Sequence, residues 1–230
     1  MPQGNRWLLI CCLLLSTITG CGKTQPQATS TPQATLTPQP ATTPQAAPVP
    51  ASPLGAWKTI TGNGVSLSLP ASYQGGNPSK DQDLDAIAQK LKTIDPEYEK
   101  NIESLKENAS TLAFVAFDLP QDKSKFVTNV NIAMEKVPDA TTVEKYLNAA
   151  VKEMSAHFQV TDQKVVSLDK YQAGRIVAED TTTGTPIKYL FYLVQKGNNF
   201  WIVTYTTATN EFDQRLPNFE KSIRTFTLSS

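Results

Sequence analysis

The chain has 230 residues, with 21 basic and 21 acidic side chains and a formal net charge of zero. That length suits one domain or two, and the balanced charge gives no overall electrostatic footprint for nucleic acid. All three cysteines lie at or before Cys21, so disulfides are excluded from everything after it and stability there must come from a packed core.

The first element is an apolar run, Trp7 to Leu15, preceded by Arg6 and followed by small polar residues. A membrane-spanning helix needs about 20 apolar residues, and this run is too short. A basic start, a short apolar centre and small residues before a break match an export signal. The run closes on Ile18-Thr19-Gly20-Cys21, which resembles the lipobox of bacterial lipoproteins. The resemblance implies lipid attachment at Cys21, cleavage after Gly20, and a mature chain held on the extracytoplasmic side of a membrane, whether periplasmic, lumenal or cell-surface. The alternative is a plain secretory signal with an unrelated cysteine. On either reading Cys11 and Cys12 depart with the signal and need no chemistry.

From Thr24 to Pro53 the chain reads TQPQATSTPQATLTPQPATTPQAAPVPASP, and no charged residue falls between Lys23 and Lys58. Such a stretch has too few large apolar groups to offset the entropy of ordering. Its prolines favour extended polyproline II, with a reach of about 90 Å at ~3.1 Å per residue. The expected organisation is a signal peptide at 1–20, a lipidated cysteine and disordered linker at 21–54, and a folded domain at 55–230.

Inside the domain, GVSLSLP alternates Val65, Leu67 and Leu69 against serines, a half-buried strand closed by Pro70. SYQGGNPSKDQD reads as a loop. Leu84, Ile87, Ala88, Leu91 and Ile94 then recur at helical spacing. A second helix starts at Asp95-Pro96, with Tyr98, Ile102, Leu105 and Ala109 as its stripe. Strands are expected near 112–119 and 126–137. TTVE, Thr141 to Glu144, has the form of a capping box opening a helix whose inner face is Val143, Leu147, Ala150, Val151, Met154 and Phe158. Four more strands are expected near 160–168, 171–181, 187–195 and 200–207, with turns at TTTGTP and KGNN. A last helix from Asn210 carries Phe212, Leu216, Phe219 and Ile223, kinked or delayed by Pro217. IKYLFYLVQ and FWIVTYTT are apolar on both alternating faces, which calls for cover on both sides of the sheet, and the short turns dictate antiparallel neighbours. The expected fold is α+β: a three-layer α/β/α sandwich around an antiparallel sheet.

Chemistry-bearing motifs are sparse. With His157 as the one histidine, neither a histidine-based triad nor a two-histidine metal motif can be assembled, and His157 reads as a partly buried helix-terminal residue. Asp81, Asp83 and Asp85 have the spacing that opens a calcium loop. Ala86 and Lys92, however, stand where that loop needs glycine and glutamate, so the acids read as helix N-terminal charges. GNG at Gly62 to Gly64 lacks the rest of a phosphate loop. Glu179, Asp180 and Thr181 are an acidic strand end next to a turn, with a carboxylate hydrolase as the sharper alternative. Tyr189, Phe191, Tyr192, Phe200, Trp201 and Tyr205 read as cross-strand core packing rather than a stacking platform for bases.

The wording GVSLSLPASY, TNVNIAMEKV, VVSLDKYQAGRIVAED, YLFYLVQKGNNFWIVTYTT and FEKSIRTF resembles the PsbP-like superfamily. That group takes in the extrinsic proteins of photosystem II, Ran-binding import proteins and DcrB-type bacterial lipoproteins, and the resemblance runs from Trp57 to Leu228. It implies an antiparallel α/β/α sandwich that acts without catalysis, docking to a larger membrane-associated complex or assisting its assembly, with photosystem complexes as one case; no cofactor is expected. No site residue beyond Cys21 carries over. The expected partners are the membrane, through Cys21, and a protein of a membrane complex, with no nucleic acid. The alternative function is a lipoprotein that binds a small ligand or a divalent metal.

Overall fold

The computed structural model describes residues 56–94, 97–107, 109–119, 126–182 and 185–229. The expected signal peptide, lipidated Cys21, linker and bend at Pro96 lie outside the described residues.

Among the described residues, ten strands and four helices follow in the order β1 (Trp57–Thr61), β2 (Val65–Pro70), β3 (Tyr73–Gly76), α1 (Asp81–Ile94), α2 (Glu97–Glu107), β4 (Leu112–Asp118), β5 (Asn129–Lys136), α3 (Val143–Met154), β6 (Gln159–Leu168), β7 (Tyr171–Asp180), β8 (Ile187–Lys196), β9 (Asn199–Ala208), α4 (Phe212–Ile223) and β10 (Thr227–Leu228). Seven strands form one antiparallel sheet in the order β3-β4-β5-β9-β8-β7-β6. The other three form a small antiparallel sheet, β1-β2-β10.

The large sheet is covered on both faces, as the doubly apolar β8 and β9 require. On one face α3 packs over β7, β8 and β9 through Val143, Leu147, Ala150 and Met154 against Ile176, Phe191, Leu193 and Ile202. Beside it, α1 and α2 lay Leu84, Leu91, Ile102 and Leu105 over Val115, Phe117 and Ala133. On the other face α4 contributes Phe212, Phe219 and Ile223 to a core with Val130, Leu190, Tyr192, Val203 and Tyr205. The small sheet shares that second outer layer, because Val65, Leu67 and Leu69 belong to the same core. The sandwich therefore has three layers, one of them a helix with a small sheet beside it rather than helices alone. Each fully buried leucine or phenylalanine of these clusters contributes about 1.5–3 kcal/mol.

Several local expectations shift. The segment read as a loop begins with strand β3, which pairs with β4 through Gly75 and Gly76. A Cβ on Gly75 would lie 2.1 Å from the Val115 carbonyl oxygen, so only glycine permits this close approach. The cap of α3 is Thr142, not Thr141: its hydroxyl accepts from the Lys145 N–H. Tyr146, absent from the expected inner face, is buried, whereas Val151 and Phe158 are half-buried. Pro217 sits inside α4 without breaking it, on the exposed side, where the carbonyl it leaves unbonded faces water. Gly197 turns the β8–β9 hairpin at φ 61°, the left-handed conformation that glycine adopts without strain.

Candidate functional site

Among the described residues, those singled out in the sequence do not converge. The side chains of Asp81 and Asp83 lie outside the described residues, and Asp85 is ion-paired with Lys106 across the α1–α2 contact. No group of three or more potential metal-ligating side chains occurs among the described residues. Gly62 to Gly64 form the tight β1–β2 turn, where the Gly62 N–H donates to the Val65 carbonyl at 2.8 Å. Glu179 and Asp180 are consecutive strand residues and point to opposite faces. Glu179 accepts from the Thr209 hydroxyl at 3.0 Å, and Asp180 accepts from both the N–H and the hydroxyl of Thr182. They act as separate structural acceptors and do not form a dyad. His157 lies past the end of α3 and is exposed, a correction to the partly buried position expected for it. The aromatics of β8 and β9 are core, Trp201 alone being half-buried.

A site is built elsewhere, where β5 ends against α3. The strand alternation that sends Asn131 and Ala133 toward the helices sends Glu135 there too, and it is only 9% exposed. Its cross-strand partner is Phe200. The ring of Tyr146 stacks on Phe200 with centroids 3.9 Å apart, and its hydroxyl donates to Glu135 Oε2 at 2.5 Å. The loop between β5 and α3 is pinned on both sides. Val137 N–H donates to the Asn198 carbonyl at 2.8 Å, the Asn198 side chain donates to Asp139, and Gln195 Nε2 donates to the Thr141 carbonyl at 2.8 Å. A turn closed by Thr141 N–H onto Pro138 O places Ala140 at φ 65°. That left-handed conformation costs a non-glycine residue about 1 kcal/mol, and it persists where the surroundings fix the backbone.

These elements enclose an open cleft of about 400 Å³, whose polar lining is Glu135, Asp139, Lys145, Tyr146 and Glu153 and whose apolar lining includes Val137, Ala149 and Ala150. Burial raises the Glu135 carboxyl above the ordinary range, and the Tyr146 hydrogen bond only partly opposes it. Glu153 is raised as well, first by burial and then by the charge of Glu135, with His157 pulling the other way. The cleft thus gathers acceptor oxygens and negative charge beside a small apolar lining. Its sequence signal was one acid on the inward phase of β5, inside a segment recognised only as a strand.

Two other polar networks fasten the layers together. Arg175, 7% exposed, donates to Glu220 of α4 at 3.0 Å and pairs with Asp162, while Tyr192 donates to the other oxygen of Glu220. Arg215 of α4 pairs with Asp118 at 2.6 Å and Glu211 at 2.7 Å. Between the α3 block and the α1–α2 block lies a polar strip of Asn129, Asn131, Thr204 and Thr206, in which Asn129 Oδ1, Asn131 Oδ1 and Thr204 Oγ1 are buried with no hydrogen-bond partner.

No protein-family model matches the sequence, and none of the curated proteins matches it. Among solved structures, the chain is similar to cyanobacterial PsbP (CyanoP) from Synechocystis sp. PCC 6803, with 9% identity over 80% of this chain and 99% of that one, at a TM-score of 0.45. It is similar to LpqN of Mycobacterium tuberculosis, described as involved in cell envelope biogenesis, with 10% identity over 76% of this chain and 91% of that one, at 0.46. It is also similar to the Saccharomyces cerevisiae Ran-binding protein Mog1p, with 9% identity over 76% of this chain and 96% of that one, at 0.46.

Proposed function

We propose that the chain is a lipid-anchored extracytoplasmic protein whose α+β domain is a non-enzymatic binding and assembly module for a membrane-associated protein complex. A photosystem complex is the case that the family resemblance suggests. The observation that carries the reading is Ile18 to Cys21 at the end of a short apolar run, followed by a proline-rich, charge-free stretch and then a folded domain. A diacylated cysteine gives durable anchoring where one chain alone is marginal, and the extended linker lets the domain search about 90 Å from the surface. The pinned cleft beside Glu135 supports the binding part of this reading, and it also favours a second one, in which the lipoprotein captures a small ligand rather than a protein.

The test is expression of the full chain and its Cys21→Ala variant in a bacterial host, followed by membrane fractionation and intact-mass measurement. The wild-type chain should begin at Cys21, carry acyl mass and sediment with membranes, and the variant should be released. A variant that stays with the membrane, or a wild-type chain without acyl mass, would sink the anchor. Cross-linking of the anchored protein in place then names its neighbours.

A further inference from the structure

We propose that the cleft between β5 and α3 binds an organic cation: a primary ammonium or guanidinium group carried on a short apolar stem. This deepens the binding reading above, and it stands or falls independently of the lipid anchor.

The charge pattern comes first. Glu135 is held below the surface with one oxygen taken by Tyr146, and Glu153, one turn beyond Ala149 and Ala150 on α3, lines the same cleft, where the charge of Glu135 disfavours its ionisation. A positive group seated between them relieves that repulsion and gives both carboxylates a charge-assisted donor. Asp139 lies on the same wall, already committed to Asn198. Lys145 also lines the cleft but is itself exposed, so the carboxylates outnumber the ammonium groups there.

The shape points to an organic cation rather than a bare metal ion. No three metal-ligating side chains converge among the described residues, and a cleft of about 400 Å³ is far larger than one ion. Its apolar lining is the buried Val137 and Ala150 with the exposed Ala149, which leaves room for methylene groups and gives them an apolar contact. A lysine or arginine side chain and a free alkylamine share this chemistry: an apolar stem along the alanines and a charged head between Glu135 and Glu153. The walls are preformed. Tyr146 is stacked on Phe200, Thr141 is held by Gln195, and the Ala140 turn is fixed in its left-handed conformation, so little ordering entropy opposes binding.

The experiment is calorimetric titration of the full-length chain in a non-ionic detergent. The free cations are cadaverine and agmatine, and the peptide cations are blocked peptides with one central lysine or arginine. A peptide with norleucine at that position is the neutral control, and calcium and zinc chlorides are the metal controls. Saturable binding of a cation, with none for the norleucine peptide, is expected. Glu135→Gln, which keeps the Tyr146 acceptor, and Glu153→Gln should each weaken binding about tenfold. Ala149→Phe, on the exposed side of the helix, fills the cleft while keeping every charge and should abolish binding, with circular dichroism verifying the fold of all three. Stronger binding of the free amines marks a small-molecule ligand, and stronger binding of the peptides marks a partner's side chain. The proposal is overturned if no cation binds at millimolar concentration, if all three variants bind like wild type, or if only the metal ions bind. Cys21→Ala should leave this titration unchanged, so loss of the anchor and loss of the site are separately readable.

Discussion

Two threonines on β9, three residues apart, should respond with opposite sign to the same substitution. Thr204 is fully buried and its hydroxyl has no hydrogen-bond partner. Thr207 is equally buried, but its hydroxyl lies 2.8 Å from that of Thr128, itself 2% exposed. Valine matches threonine in shape and in β-branching, so strand propensity and packing volume hardly change. In the unfolded chain both hydroxyls are hydrated. Folding strips water from Thr204 with no replacement, a penalty of about 1–3 kcal/mol that Thr204→Val removes. Taking the lower end of that range, we expect a net stabilisation of about 1 kcal/mol. Thr207→Val instead deletes a buried bond and orphans the Thr128 hydroxyl, for a loss of about 1–2 kcal/mol. The two variants should therefore differ by about 2–3 kcal/mol in urea unfolding at unchanged m-value. In a domain of this size each kcal/mol moves Tm by about 2–4 °C. If Thr204→Val destabilises by more than about 0.5 kcal/mol, its hydroxyl has a partner after all, a buried water bridging to Asn131 being the natural one, and the reasoning fails.

Two further outcomes follow from the site and the layer contacts. Arg175→Met keeps the stem packing but leaves Glu220 with Tyr192 alone and Asp162 with Lys164 at 3.5 Å. Because both carboxylates are more than a third exposed, the loss should be about 1–2 kcal/mol rather than that of a fully buried pair, and a value near zero in urea denaturation would refute a fastening role. The pH dependence of Glu135 has a definite sign. Its carboxyl is raised in the folded protein by burial, so the folded state holds the proton more tightly than the unfolded chain. The stability this contributes is full below the unfolded-state value and is lost as pH rises through the folded-state value. Glu135→Gln removes that dependence: wild type should lose stability relative to the variant as pH rises through and above the carboxylate range, and the two curves should run parallel at higher pH. Melting curves across that range that stay parallel throughout would contradict it.

The strands and helices that carry the core were legible in the sequence because their signals are local. Val65, Leu67 and Leu69 announced β2 by alternation, and the doubly apolar β8 and β9 announced cover on both faces. What stayed hidden depended on partners distant in the chain. The segment Tyr73-Gln74-Gly75-Gly76 has the composition of a turn, and it is a strand only because glycine lets it lie against Val115 and Ala116. Trp57 to Thr61 has little apolar periodicity and is held by β2. The cleft was illegible for the same reason. Glu135, Tyr146 and Glu153 look like ordinary members of a strand and a helix, and only the packing of α3 on β9 brings a carboxylate beneath a tyrosine. Of the motifs that did stand out, the Glu179-Asp180 pair was conspicuous by spacing alone, and spacing did not make its two acids converge.

The small sheet has a consequence for the timing of folding. β2 is hydrogen-bonded on one edge to its immediate predecessor and on the other to β10, and the Ser68 N–H donates to the Thr225 hydroxyl across a separation of 157 residues. The β1–β2 hairpin can form as soon as it is synthesised, but its second edge and its apolar face wait for α4 and β10. Contacts this remote form late, because the chain must lose the entropy of a long closure before they reward it. A chain emerging from its N-terminus therefore stays unlatched, with Val65, Leu67 and Leu69 uncovered on one side, until Leu228 arrives to fasten it.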